Sequence, residues 1–273
     1  MSLRKIIYSA AVAAMAIALG SCTPIDEDDR LIEVEKPQVQ RAVLIEDFTG
    51  QYCPNCPNAA EEIESLMEAY GSDVIIPVAI HSGPQGFDVK YGTEDMPGLM
   101  TDLGNEYYNN YGIDYQPQGV VDKGGKLAYT AWAGAVRNEL QKAALLSIHI
   151  DSDYAETTRQ LTIHTKLTSV KGIEGVSGKL QLWLVEDGIK SVQVMPDQSY
   201  DFAYTHNHVF RDAINGTWGE EVSMTEDTPA ETTHTYTIPT GWNANHLSVV
   251  AFVYGDGGVM QVAKAPIVEN ANN

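Results

Sequence analysis

The chain has 273 residues, 44% of them apolar, and a formal charge of -20 at neutral pH. That length suits two domains better than one small one, and the apolar fraction is enough for ordinary cores. A surface this acidic disfavours nucleic acid and anionic lipid headgroups as electrostatic partners, and it says nothing about fold.

Taken in chain order, the first element is a targeting segment. Arg4 and Lys5 precede "IIYSAAVAAMAIAL", an apolar run too short for a convincing membrane span. It ends in "LGSC", Leu19 to Cys22, a string that resembles a bacterial lipobox. There cleavage precedes the cysteine, and its thiol carries diacylglycerol. The competing reading is an ordinary signal peptide with an incidental cysteine. Lipid on Cys22 would hold the protein on a membrane without a transmembrane helix. Residues 1–21 are then the expected signal peptide, and residues 22–40 a flexible tether. That stretch, "TPIDEDDRLIEVEKPQVQ" after the cysteine, has acids, two prolines and no apolar periodicity. Its acidic cluster, Asp26 to Asp29, resembles the export signal that sends some Bacteroidetes lipoproteins to the cell surface. A solvated linker explains the charge equally well.

If Cys22 is lipidated, Cys53 and Cys56 of "CPNC" have only each other among the three cysteines. An exported protein meets oxidising conditions, in which a disulfide persists. "RAVLIEDF", residues 41–48, is mostly apolar and β-favouring, so it predicts a buried strand. From Ala59 apolar residues recur at helical spacing: Ile63, Leu66, Met67 and Tyr70. Pro54 and Pro57 suit a first turn. Cys53 therefore falls at or just before a helix N-terminus, where the dipole and free N–H groups favour a thiolate. Cys56 lies a turn further in. Beyond it, "DVIIPVAIH" (73–81) predicts a strand, Gly119 to Asp122 another, and "AYTAWAGAVRNELQKAA" a helix with Trp132, Val136 and Leu140 on one face. The sum is β-α-β-α-β-(β)-α.

These residues resemble the thioredoxin family, over roughly residues 40–146. "DFTGQYCPNC" has its spacing of acid, Phe and CxxC, with Tyr52 where that family has Trp. "YGIDYQPQGVVDKGGK" matches its Tyr-Gly-Ile segment, with Pro117 at the position of its cis-proline and Gly125 at the next hairpin turn. The resemblance implies Cys53 as attacking thiolate, Cys56 as buried resolving thiol, Asp47 as a carboxylate beneath them that relays the proton of Cys56, and Pro117 beside the disulfide. There are departures. Pro-Asn separates the cysteines in place of Gly-Pro, Gln116 precedes the proline, and "DVIIPVAIH" carries no lysine to pair with the acid. About thirty residues, 81–110, intervene before "YGID". Two other readings of CPNC compete. Zinc needs four ligands, of which CxxC supplies two, and His81 is the only histidine in this half of the chain. A structural staple closing so short a ring contributes little.

From Leu145 onward strand patterns dominate: "LLSIHID", "RQLTIHTKLTSV", "KLQLWLVED", "HTYTIP", "LSVVAFVYG" and "VMQVAKAPI". About seven short strands predict a second domain over residues 147–273, an immunoglobulin-like β-sandwich after the thioredoxin-like domain of residues 41–146. The expected fold class is thus α/β plus all-β. His206 and His208 alternate along one extended stretch and could bind a metal, but no completing ligand is evident, so no metal and no cofactor are expected. "YTHNHVFRDAINGTWGEEV", behind a lipobox and a thioredoxin-like half, resembles the 28-kDa outer-membrane lipoprotein family of Bacteroidetes. That implies an outer-membrane location with no settled activity. Three functions compete: thiol-disulfide exchange with exported protein thiols or disulfides, surface binding or adhesion on an inert thioredoxin scaffold, and assistance to folding through the same cysteines.

Overall fold

The computed structural model describes residues 39–268. The lipobox, Cys22, the acidic cluster and nearly all of the tether lie outside the described residues. Among the described residues, no helix is long and apolar enough to cross a membrane.

Strand β1 (Val43–Thr49) is buried along its whole length, as an apolar run covered on both faces must be. It pairs in parallel with β2 (Ile75–His81) and antiparallel with β3 (Gln118–Val121), and β3 pairs with β4 (Lys126–Ala128). Between β1 and β2 runs α1 (Cys56–Tyr70), ended by Gly71 at φ 103°, a conformation that favours glycine. Helix α2 (Asp102–Asn110) lies in the long segment before β3. Its Thr101 hydroxyl accepts from the Gly104 N–H at 2.9 Å, satisfying a free helix-start donor. Helix α3 (Trp132–Glu139) follows β4.

The period of two along β1 assigns its faces. Val43 and Ile45 join Ala59, Ile63 and Leu66 of α1 and Trp132 and Val136 of α3. Leu44 and Phe48 join Ile76, Val78, Ile80 and Tyr107 of α2. Asp47, of the same parity as Val43 and Ile45, therefore falls on the α1 side. Its register partner on β3 is Gly119. A Cβ there would lie 2.5 Å from Trp132 Cζ2 and 2.8 Å from the Glu46 carbonyl oxygen, so only glycine lets the indole close over the sheet.

The second half contributes β5 (Leu146–Ala155), β6 (Gln160–Ser169), β7 (Val176–Glu186), β8 (Ile189–Val194), β9 (Tyr200–His206), β10 (Val209–Ala213), β11 (Glu220–Met224), β12 (Ala230–Thr237), β13 (Leu247–Gly255) and β14 (Gly258–Pro266). The sequence-predicted strands correspond to β5, β6, β7, β12, β13 and β14. Strands β8 to β11 were not legible as separate elements. A three-stranded sheet, β12-β6-β5, lies over part of the second half.

The sheets do not divide at residue 147, where the sequence predicts the start of a separate immunoglobulin-like sandwich. One sheet runs β14-β13-β7-β10-β2-β1-β3-β4, with β11 also on β7, and so crosses from one half of the chain to the other. The join is Val209 against Ala79, with the Ala79 N–H donating to the His208 carbonyl at 2.7 Å. The physical reason lies in β7 and β13, which are apolar on both faces. Leu180, Leu182, Leu184, Val249 and Val253 meet Leu146, Leu161 and Ile163 of the three-stranded sheet. Trp183, Val185, Val250 and Phe252 instead meet Leu44, Phe48 and Ile80 of the first half. A strand buried on both faces needs two covers, and the first half supplies one of them. Arg41 adds a polar tie, reaching Asp122 at 2.5 Å and the Val259 carbonyl at 2.7 Å. The molecule is mixed α/β, mostly β-sheet with few helices.

Candidate functional site

Cys53 and Cys56 form a disulfide with a Cα–Cα distance of 5.4 Å. The chain leaves β1 at Thr49 and turns: the Cys53 N–H donates to the Gly50 carbonyl at 3.0 Å, and the Cys56 N–H to the Cys53 carbonyl at 3.3 Å. Helix α1 starts at Cys56, with Asn55 as its N-cap residue. Cys53 thus sits just ahead of a helix N-terminus, as the sequence predicts, and a thiolate there would be stabilised.

Its accessibility is lower than the role of attacking thiolate, implied by the thioredoxin resemblance, requires. Cys53 is 1% exposed and Cys56 3%. The cover is β8, from the second half of the chain. Gln193 Nε2 donates to the Cys53 carbonyl at 2.9 Å, and the Val194 N–H donates to the Gln51 carbonyl at 2.8 Å. Gln51, itself fully buried, donates through Nε2 to Ser191 Oγ at 2.9 Å and accepts from the Leu99 N–H at 2.9 Å. Strand β8 and the 81–110 segment therefore clamp the CPNC loop from two sides. Nothing in the CPNC motif signals this cover, because it arrives from some 140 residues away.

The Gln116–Pro117 peptide bond is cis. Gln118 pairs with Phe48, which brings Pro117 to the end of β1 where the CPNC loop begins. Gln116 Nε2 donates to the carbonyls of Thr49 at 2.5 Å and Ser82 at 2.9 Å. Gln116, one of the departures noted in the sequence, thus ties this loop to the ends of β1 and β2.

Asp47 is 3% exposed, and its Oδ1 has no hydrogen-bond partner. Burial raises its carboxyl from 3.8 to about 8, because an ion without a partner is costly in an apolar site. It lines a cavity of about 390 Å³ whose wall also includes Cys56, Glu64, His81, His206 and His208. The His81 and His206 rings meet edge-on, 5.2 Å between centroids. Burial, reinforced by His206 and Arg211, holds His81 well below the usual imidazole range, and burial takes His206 down to about 4. Both are therefore neutral at pH 7. His81 Nδ1 is buried without a partner.

The expectation that His206 and His208 share one face of a continuous strand is corrected. Strand β9 ends at His206, and His208 turns the chain at φ 57°. His208 Nδ1 instead meets Asp187 Oδ1 at 3.0 Å. The fold nevertheless gathers three histidines around one cavity, a grouping that sequence separation of 125 residues between His81 and His206 conceals. Among the described residues, no group of three or more His, Cys, Asp or Glu side chains is arranged to hold a metal ion.

The arrangement so far defines a mainly β, mixed α/β protein with a covered CxxC disulfide at a helix start. The family model described as Outer membrane protein Omp28 matches residues 104–271, more than half of the chain, and the chain belongs to that family. Its place is the outer membrane. HBP35 of Porphyromonas gingivalis is structurally similar, with TM-score 0.68 and 16% identity, covering 87% of this chain and 79% of that one. At that identity the likeness shows the fold alone. A domain of the outer membrane lipoprotein Omp28 from Porphyromonas gingivalis is 26% identical over 46% of this chain and 90% of its own length, with TM-score 0.34. No curated protein sequence matches.

Proposed function

We propose that this protein is a lipid-anchored outer-membrane thiol-disulfide exchange protein, with lipid on Cys22 and a thioredoxin-like arrangement of β1 to β4, α1 and α3. Cys53 and Cys56 are the redox couple, and Asp47 carries the proton of Cys56. One observation carries the reading: a fully buried carboxyl with an unpartnered oxygen lines the same cavity as Cys56. A structural disulfide has no use for such a group, which costs stability in the folded state. A redox couple does, because a thiolate released in an apolar site must be protonated. The partners expected from the sequence are exported protein thiols or disulfides, presented to the couple by the β-rich second half.

A second reading rests on the 1% exposure of Cys53. With that sulfur covered, the same fold serves as a scaffold for surface binding, and the disulfide is inert. The test is native-state reduction. The oxidised protein is incubated with dithiothreitol without denaturant, and released thiols are counted against time. Exchange predicts reduction of the folded protein, slowed by Asp47→Asn. Reduction only after unfolding in urea leaves the scaffold reading.

A further inference from the structure

The two sulfurs of the disulfide have different surroundings. The Cys53 side is closed by β8, with Gln193 bonded to the Cys53 carbonyl at 2.9 Å and Val194 bonded to Gln51 at 2.8 Å. An extended polypeptide approaching Cys53 would have to take the place of that strand. Cys56 lines the cavity of about 390 Å³, and Cys53 does not. Its lining residues include Asp47 and His81, each of which carries a buried polar atom without a partner, Oδ1 and Nδ1 respectively. Groups of this kind are normally satisfied, and here the residues that carry them line a space large enough for a small organic molecule and too small for a folded protein. Pro57, Pro77 and Tyr204 give it apolar walls, and Glu61 and Glu64 of α1 set negative charge along its helix side.

We propose that the sulfur open to attack is Cys56, and that its partner is a low-molecular-mass thiol, neutral or cationic, entering the Asp47–His81–His206 cavity. This rests on the exchange reading above and reverses the order of attack that the thioredoxin resemblance implies. The thiolate of the small molecule attacks Cys56 Sγ. The Cys53–Cys56 bond breaks, and Cys53 leaves as a thiolate at the start of α1, where the helix dipole favours it. A mixed disulfide now joins Cys56 to the small molecule. A second small thiolate attacks the small-molecule sulfur of that bond and leaves as the symmetrical disulfide. Cys56 departs as a thiolate and takes the Asp47 proton. Two thiols are oxidised to one disulfide and the protein gains two electrons; one thiol proton goes to solvent while Cys53 stays a thiolate, and the other replaces on Asp47 the proton passed to Cys56.

The test uses full-length Cys53→Ser and Cys56→Ser variants, reduced and then exposed to cystamine or to the anionic disulfide of 2-mercaptoethanesulfonate. Adducts are located by peptide mass mapping. Cys53→Ser should gain cysteamine on Cys56 at least about tenfold faster than Cys56→Ser gains it on Cys53, as accessibility governs the rate. The anionic reagent should label Cys53→Ser more slowly than cystamine does, and Ala60→Trp, at the cavity wall, should slow both. If Cys56→Ser labels faster, exchange survives but runs through Cys53, and the inference falls. If neither variant labels before urea is added, the exchange reading falls with it. Should either variant fail to fold, wild-type oxidised protein quenched in acid during cysteamine reduction gives the same answer. A mixed disulfide on Cys53 overturns the assignment.

Discussion

Replacing Asp47 by Asn tests the central claim about the site through stability alone. An unfolded aspartate titrates near 3.8, and burial moves Asp47 to about 8 in the folded chain. Below the lower value both states hold the proton, and the carboxyl costs nothing. As pH rises, the unfolded chain releases a proton that the folded chain keeps. Stability then falls by up to about 1.4 kcal/mol per pH unit, and the fall ends near the folded value. At pH 7 the accumulated cost has an upper limit of about 4 kcal/mol by that slope. Asn has no proton to release. The charged and titratable groups around the same cavity are Glu61 and Glu64 of α1, His81 of β2, Tyr204 and His206 of β9, and His208. His81 and His206 are depressed, so their contribution is lost as pH falls below the usual imidazole value. They are present in both proteins and cancel to first order in the difference. Urea unfolding of the oxidised wild type and Asp47→Asn, across the range from pH 4 to pH 9 that spans the upward shift, should give curves that nearly meet at the acid end. The variant should gain about 2–4 kcal/mol by neutral pH and keep that gain at higher pH. Parallel curves would show that Asp47 is ionised in the folded protein, and the proton-relay role would go with it.

Two further outcomes test the packing and the anchor. Gly119→Ala should cost about 1–3 kcal/mol through overpacking, since the new methyl would lie 2.5 Å from Trp132 Cζ2. An unchanged melting temperature would mean that the indole is not held against β3. Cys22→Ser should move the exported protein from the membrane fraction to the soluble one, and persistent membrane association would remove the lipid anchor.

The sequence carries the first half well because its signals are local. The apolar run at residues 43–48, the helical spacing from Ala59 and the acid six residues before Cys53 all describe neighbours in the chain. Strands β5, β6, β12, β13 and β14 are legible for the same reason. What surrounds the disulfide is not local. Gln193 closes over Cys53 from a strand whose sequence, "IKSVQV", is short and mixed. Strand β9, "YDFAYTH", is mostly exposed and pairs only with β8, so no apolar alternation announces it. His81 and His206 look like unrelated histidines until β10 docks on β2 and brings the end of β9 alongside. Period-two and period-3.6 patterns report which face of an element is covered. They do not report which other element covers it.

That distinction bears on what the second half is for. Treated as an appended module, residues 147–273 would leave the CPNC loop as it stands in a free thioredoxin-like domain, with the chemistry set by residues 41–146. The contacts argue otherwise. Trp183, Phe210, Val250 and Phe252 complete the core on the α2 side of β1 and β2, so the first half without them would expose Leu44, Phe48 and Ile80. The same half supplies Gln193, bonded to the Cys53 carbonyl, and His206 and His208, which line the cavity with Cys56. A CxxC pair at a helix start favours a thiolate, and that is a property of the helix end. Which sulfur a partner can touch, and how large that partner can be, is a property of the cover. In this chain the cover comes from β8 of the second half and from the 81–110 segment of the first, so the surroundings of the disulfide have to be derived from both.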